Sequence, residues 1–130
     1  MKAFSEEWAK SVCEKINSNS DYKSAALDIN WNLILSMNDG NIDCRVFIDL
    51  KDGTCANARI ASESDIESAE FIISASKDSW QKILSNNLDP MMAVMTKKLE
   101  LKKGNVGSLV KNVDAAKELI KSASKVDTEF

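Results

Sequence analysis

The feature that most constrains the fold is an alternation of apolar and polar residues on both sides of an Asp39-Gly40 dipeptide. The apolar positions are Ile29, Trp31, Leu33, Leu35 and Met37 before it, and Ile42, Cys44, Val46, Ile48 and Leu50 after it. A period of two indicates strands with one buried face, and Asp-Gly is a strong signal for a two-residue hairpin loop. The spacing therefore predicts an antiparallel hairpin with Leu35 opposite Cys44 and Leu33 opposite Val46, so that apolar residues meet apolar residues.

Three more strands are predicted after this hairpin. Lys51-Asp52-Gly53 predicts a second turn, residues 54–60 a third strand, and residues 69–75 a fourth strand after a polar loop at 61–68. Residues 98–103 predict a fifth strand at a sheet edge, because flanking lysines protect exposed strand edges. The inner faces of the third and fourth strands are predicted to carry Thr54, Ala56, Ala58 and Ile60, and Ala69, Phe71, Ile73 and Ala75.

Helical spacing of apolar residues covers most of the remaining chain. Ser5 suits the N-cap of a first helix, and residues 21–27 predict a short second one. Another helix starts at either Ser76 or Asp78, and Asp89-Pro90 starts the next with a cap and a proline in its first turn. Residues 106–123 are helical again. The predicted buried stripes are Trp8, Val12 and Ile16; Trp80, Ile83, Leu84 and Leu88; Met91, Met92 and Met95; and Val106, Leu109, Val110, Val113, Ala116, Leu119, Ile120 and Ala123.

This order of elements predicts the α+β class, with a five-stranded, mainly antiparallel sheet and helices packed over one face. The 130 residues suit a single domain, residues 1–130. A chain of this size buries about two thirds of its unfolded surface, which is enough for one sizeable core.

Histidine is absent from the sequence, and this absence excludes several kinds of chemistry. It removes Ser-His and Cys-His nucleophiles, the commonest general base and the commonest metal ligand. Cys13, Cys44 and Cys55 are too few for a structural zinc site and form no Cys-x-x-Cys pair. We therefore expect no catalytic residues, no metal and no cofactor, and we expect reduced thiols in a cytoplasmic protein.

Charge is unevenly distributed along a chain whose net charge is −3. Residues 91–125 hold eight lysines and three acids, a local charge of +5 that leaves −8 for the rest. Net acidity without interleaved basic and aromatic residues argues against nucleic acid as a partner. The basic end is a solvated face by default, and the alternative is transient contact with anionic headgroups at a membrane surface.

Methionines are concentrated in one predicted helix, at Met91, Met92 and Met95. Methionine is flexible and polarizable, so it lines sites that accept varied apolar shapes. The same stripe also suits an ordinary core, and the spacing alone does not decide between the two interpretations.

The stretch Ser79-Trp80-Gln81-Lys82-Ile83-Leu84 leads through Leu88-Asp89-Pro90 into Ala93-Val94-Met95-Thr96, and then into Lys98-Leu99-Glu100-Leu101-Lys102 and Gly104. This order of tryptophan-bearing helix, leucine-aspartate-proline step, methionine-bearing helix and short strand resembles the sterol carrier protein 2 family. Lys97 stands where that family usually has a glycine. The resemblance implies a five-stranded sheet covered by helices, with an apolar tunnel between them for fatty acids, acyl-CoA, sterols or other lipids.

Three functions are compatible with these features. The first is a non-catalytic carrier that buries a lipid or fatty-acyl ligand between the sheet and the helices. The second is a protein-interaction or homodimerisation module, and the third is an accessory subunit of a lipid-modifying enzyme. The predicted ligand-binding residues are Trp31, Leu33, Leu35, Val46, Ile48, Leu84, Met91, Met92, Met95, Leu109 and Val110.

Overall fold

Twelve helices and strands follow one another in the computed structural model, which describes residues 1–130. Their order is α1 (Glu6–Asn17), α2 (Ser20–Ala25), β1 (Asn30–Asp39), β2 (Ile42–Lys51), β3 (Thr54–Ile60), α3 (Glu63–Ser68), β4 (Phe71–Ser76), α4 (Lys77–Leu84), α5 (Pro90–Met95), β5 (Leu99–Lys103), α6 (Val106–Lys111) and α7 (Val113–Ser124).

The five strands form one sheet in the order β3-β2-β1-β4-β5. The pairs β1–β2, β2–β3 and β4–β5 are antiparallel, so the predicted α+β class with a mainly antiparallel sheet is confirmed. The pair β1–β4 is the exception, because β4 runs parallel to β1. A parallel return requires a crossover segment, and this explains why the predicted loop at 61–68 contains α3.

The sheet has two differently covered faces, which we call the helix face and the outer face. The helix face carries the main core, with Trp8 of α1, Tyr22 of α2 and Trp80 of α4 all fully buried. The outer face carries a smaller cluster under α3, built from Ile34 and Phe47. Ala69 was predicted on the helix face, but it precedes β4 and is buried in this smaller cluster.

The first hairpin has a register that differs from the prediction by two residues. Leu35 lies opposite Val46 instead of Cys44, and Leu33 lies opposite Ile48 instead of Val46. The loop is Gly40-Asn41, in which only Gly40 has a positive φ, of 67°. A type II′ loop needs a positive φ only at its first residue, whereas a type I′ loop at Asp39-Gly40 would need one at Asp39 as well.

The observed register also allows a hydrogen bond between two polar side chains beside the loop, Asn38 and Asp43. Asn38 lies opposite Asp43, and its Nδ2 donates to the Asp43 Oδ1 at 2.9 Å. A shift by two residues leaves every side chain on the same face, so the hydrophobic pattern fits both registers equally well.

The second hairpin is the one whose loop is Asp-Gly. Lys51 pairs with Thr54, and the two loop residues Asp52 and Gly53 both have positive φ, at 48° and 80°. These are the requirements of a type I′ turn.

The third strand contains an irregularity that the alternation did not predict. Asp49 pairs with Asn57 and Leu50 with Cys55, so the intervening Ala56 has no partner. An extra residue of this kind reverses the alternation on one strand. Of the predicted inner residues only Ala58 is buried, together with the unpredicted Cys55; Thr54, Ala56 and Ile60 are exposed.

The helix boundaries follow the predicted capping residues. Ser5 Oγ accepts a hydrogen bond from Trp8 N, and Ser76 Oγ accepts one from Ser79 N. Asp89 caps α5, with Pro90 in its first turn. The indole Nε1 of Trp80 donates to the main-chain oxygen of Ser36 at 2.8 Å, which joins α4 to the centre of the sheet.

Candidate functional site

An apolar cavity lies between the helix face and the last three helices, over strands β1, β4 and β5. Thirteen of its fifteen lining residues are hydrophobic. The lining residues are Trp31, Leu33, Leu35, Ile73, Pro90, Met91, Val94, Leu99, Val106, Leu109, Val110, Ala116, Lys117, Leu119 and Ile120. Burial by apolar contact is therefore the only interaction that most of this surface offers.

The structure brings six of the eleven predicted ligand-binding residues together around this cavity: Trp31, Leu33, Leu35, Met91, Leu109 and Val110. Val46 and Ile48 are buried on β2, away from the cavity, and Leu84 is buried in the core beside Trp80.

The placement of Met92 and Met95 in the cavity is wrong. Their side chains are 49% and 75% exposed, whereas Ala93 between them is fully buried. Met91 and Val94 line the cavity because residues three apart share one side of a helix, and Met92 and Met95 share the next side. Residue type alone does not distinguish these two sides of α5, and only the packing of α5 against the sheet shows which side is buried.

The sequence prediction missed several lining residues that carried a readable signal. Ile73 and Leu99 lie on predicted strands, with Ile73 on the predicted inner face. Ala116, Leu119 and Ile120 belong to the helical period of α7. Pro90 and Val94 had no such signal beyond their closeness to Met91.

The cavity is small, with a volume of about 50 Å³. Sites for drug-sized ligands have volumes of roughly 300–1,000 Å³, and one water occupies about 30 Å³ in the liquid. In this conformation the cavity walls are therefore nearly in contact with one another.

The wall formed by α6 is the least buried part of the site. No residue of α6 is fully buried, and Val106 and Val110 are 47% and 55% exposed although both line the cavity. The helix lies between Gly104, whose φ is 109°, and a break at Asn112 that separates it from α7. A short helix with few buried contacts and a break at each end is inexpensive to displace.

Ionisable groups contribute little at this site, where Lys117 is the single charged lining residue. The two side chains whose pKa is raised by burial, Tyr22 and Cys55, lie under α1 and α2 instead. No group of three or more side chains is placed to hold a metal ion, and no helix is long and apolar enough to cross a bilayer.

A helix-covered sheet of this topology with an apolar cavity defines an α+β protein with a candidate site for an apolar ligand, and comparison with known proteins gives the family. The model of the SCP-2 sterol transfer family matches residues 8–117. The chain belongs to this family, and membership supports lipid or sterol binding or transfer as its class of activity.

Solved structures agree with this assignment. A crystal structure of sterol carrier protein 2 superposes with a TM-score of 0.88 at 34% identity, over 96% of this chain and 99% of that chain. A conserved hypothetical protein from Thermus thermophilus, described as a possible sterol carrier protein, gives a TM-score of 0.84 at 33% identity over 99% and 92%.

The same fold also occurs inside an enzyme. A stereoselective inverting sec-alkylsulfatase from Pseudomonas sp. matches with a TM-score of 0.50 at 18% identity, over 69% of this chain and 13% of that chain. No curated protein sequence matches the chain significantly.

Proposed function

We propose that this protein is a non-catalytic carrier that buries the hydrocarbon chain of a lipid, such as a fatty acid, between the helix face and helices α5, α6 and α7. The observation that carries the proposal is the apolar cavity, with thirteen hydrophobic residues among fifteen. The proposed ligand-binding residues are Trp31, Leu33, Leu35, Ile73, Met91, Val94, Leu99, Leu109 and Val110.

Binding requires the cavity to open, because about 50 Å³ is too little for an acyl chain. Outward movement of α6 is the least costly way to open it, since Leu109 is half-buried and Val110 is more than half exposed. Each methylene moved from water contributes roughly 0.8 kcal/mol, so a chain of ~16 carbons gains at most about 12 kcal/mol. Association and ordering take back several kcal/mol, and micromolar affinity is expected.

The proposal is tested with a pair of neighbouring substitutions on α5. Val94→Trp places a large ring in the cavity, whereas Met95→Trp adds the same ring to a position that is 75% exposed. Saturated fatty acids of increasing length would be titrated by calorimetry into wild type and both variants. We expect affinity to rise with chain length in wild type and Met95→Trp, and to fall at least tenfold in Val94→Trp.

Affinity that does not depend on chain length would contradict burial of the chain, and a folded Val94→Trp variant with unchanged affinity would contradict this location. The circular dichroism spectrum and thermal midpoint of each variant are recorded on the same samples, so that loss of folding is not read as loss of binding.

A second candidate function is self-association, because four apolar side chains on α5 and α6 face solvent. Met92, Met95, Val106 and Val110 are between 47% and 75% exposed. A second copy of the chain could cover them, and sedimentation equilibrium of the ligand-free protein measures this directly. A role as an accessory subunit, transient contact of the exposed lysines with a membrane, organisation as a single domain and a cytoplasmic location stay predictions.

A further inference from the structure

A wide polar cleft lies on the outer face of the sheet, on the side opposite to the apolar cavity. Its volume is about 690 Å³, and three of its fourteen lining residues are hydrophobic. Four polar residues form a row across its floor, one from each of four adjacent strands: Arg45, Ser36, Ser74 and Glu100. We call this site the serine cleft.

The floor of the serine cleft contains a largely buried serine whose hydroxyl opens onto the cleft and has no partner within the protein. Ser36 is only 4% exposed, and its Oγ makes no hydrogen bond in the protein, although its main-chain oxygen accepts one from Trp80. Ser74, its neighbour on β4, likewise makes no side-chain hydrogen bond. On the same face of β1, Ile34 lies two residues before Ser36 and is buried in the cluster under α3, whereas Ser36 lines the cleft. Both hydroxyls open onto the cleft and have no partner within the protein, so both are free to donate to a polar occupant.

The charge around the cleft is positive. Arg45 is paired with Asp43 at 3.0 Å and Lys102 with Glu100 at 2.8 Å. Lys97 and Lys98 also line the cleft, and neither takes part in an ion pair. Each of the two carboxylates thus has a cationic partner, and the ammonium groups of Lys97 and Lys98 give the cleft an excess of positive charge.

The amino end of α4 adds to this positive field. Ser76 and Ser79, at its first turn, both line the cleft, and the positive end of the helix dipole lies there. Hydroxyl donors, unpaired lysines and a helix start are the groups that proteins use to hold phosphate oxygens.

We propose that the serine cleft binds a phosphomonoester group. The Ser36 and Ser74 hydroxyls donate to the phosphate oxygens, and Lys97 and Lys98 balance the charge. This site is separate from the apolar cavity, because it lies on the opposite face of the sheet and shares no lining residue with it.

The phosphate could belong to a small metabolite or to the headgroup of a lipid whose chain occupies the apolar cavity. The two sites are separated by the edge strand β5, where Leu99 lines the cavity and Glu100 lines the cleft. Glycerol 3-phosphate and 1-lauroyl-glycerol 3-phosphate carry the same headgroup and differ only in the acyl chain, so they distinguish these two sources.

The experiment is a titration of the isotopically labelled protein, followed by amide chemical shifts at constant ionic strength. Inorganic phosphate and the two glycerol phosphates are the probes. We expect saturable shifts at Ser36, Ser74 and Lys98, and weaker binding by roughly threefold in Lys98→Ala, as for loss of one exposed charge contact. Lys10→Ala on α1 is the matched control, because Lys10 is also exposed and unpaired and its loss changes the net charge equally. We expect no change there.

Ser36→Ala supplies a second variant that keeps the fold, since the Ser36 hydroxyl has no partner to lose. It should retain the wild-type thermal midpoint and bind phosphate more weakly. Equal affinity of the two glycerol phosphates supports a free metabolite, and tighter binding of the acylated one, with shifts at Leu109, supports a headgroup. Absence of saturable shifts with all three probes, or equal weakening in Lys98→Ala and Lys10→Ala, would overturn the proposal. Neither result bears on fatty-acid binding, which is measured separately.

Discussion

The two halves of the helix face are covered in different ways. Under α1, α2 and α4, which we call the packed half, Trp8, Tyr22 and Trp80 are fully buried, and Phe4 stacks on Trp8 with ring centroids 4.6 Å apart. Under α5 and α6, which we call the cavity half, no residue of α6 is fully buried and the walls enclose about 50 Å³. Both halves have helical stripes of apolar residues, but only the packed half forms a filled core.

The comparison shows that an apolar stripe has two uses. In the packed half the stripe is covered completely, so its burial stabilises the fold. In the cavity half it is covered partly, and the uncovered part remains available to a ligand. Substitutions should therefore change stability in the first half and binding in the second.

The largest expected difference comes from one substitution made in each half. Leu50→Ala, at a fully buried residue of β2, should lower the free energy of unfolding by about 2–5 kcal/mol. Leu109→Ala, at a half-buried residue of α6, should lower it by about 1 kcal/mol, because less apolar surface is lost. Urea denaturation of both variants measures this. Equal losses would mean that the cavity half is as tightly packed as the rest.

An intermediate effect is expected from the pH dependence of the packed half. Burial, and to a smaller extent the nearby Cys55, raises the pKa of Tyr22 from 10.0 to about 12. The phenol Oη of Tyr22 is buried without a hydrogen-bond partner. Because the unfolded chain ionises first, the stability that depends on neutral Tyr22 is complete below pH 10. This stability is lost as the pH rises to about 12, and the loss is on the order of 1–2 kcal/mol once partial solvent screening of the phenol is allowed for.

Tyr22→Phe provides the control for this prediction, and Tyr22 is the only tyrosine in the chain. At pH 7 the variant should be as stable as wild type or more so, since it removes an unpaired buried hydroxyl. The difference between the two proteins should grow above pH 10, and absorbance at 295 nm should follow the titration of Tyr22 alone. A difference that stays constant between pH 7 and 12 would show that Tyr22 titrates normally.

The smallest expected effect concerns the segment between α5 and β5 in the cavity half. Lys97 has a φ of 63°, in the left-handed region that favours glycine. Lys97→Gly should therefore stabilise the protein by about 0.5–1 kcal/mol. Lys98→Gly, which removes the same charge at a residue without positive φ, should destabilise it by a similar amount. The thermal midpoints of the two variants are compared with that of the wild type. Midpoints that shift in the same direction would contradict backbone strain at Lys97.

The sequence predicted all five strands, and the reason lies in local chemistry. The alternation around Leu33 and Val46 is a property of the chain alone, as are the caps Ser5, Ser76 and Asp89. Most of the cavity floor was predictable for the same reason, because Trp31, Leu33 and Leu35 alternate along one strand. The order of features from Trp80 to Gly104 was sufficient to indicate the family.

Other features required contacts between distant parts of the chain. Two registers of the first hairpin satisfy the same hydrophobic pattern, and the choice depended on the loop at Gly40 and on the bond between Asn38 and Asp43. The alternation of apolar and polar residues is the same in parallel and antiparallel strands. The parallel pairing of β4 with β1 was therefore not predictable from this pattern.

By itself, the sequence determined the five strands, most of the helices and the apolar faces of β1 and β2, because periodicity and capping act between near neighbours in the chain. It did not determine helix α3 or the bulge that changes the buried face of β3. The tertiary structure alone decided that Met91 and Val94 face the cavity while Met92 and Met95 face solvent, and that α6 leaves a space beneath it. It also brought Ser36, Ser74 and Lys98 into one cleft. Burial and enclosure depend on how separate elements pack together, and no single segment of the chain encodes that packing.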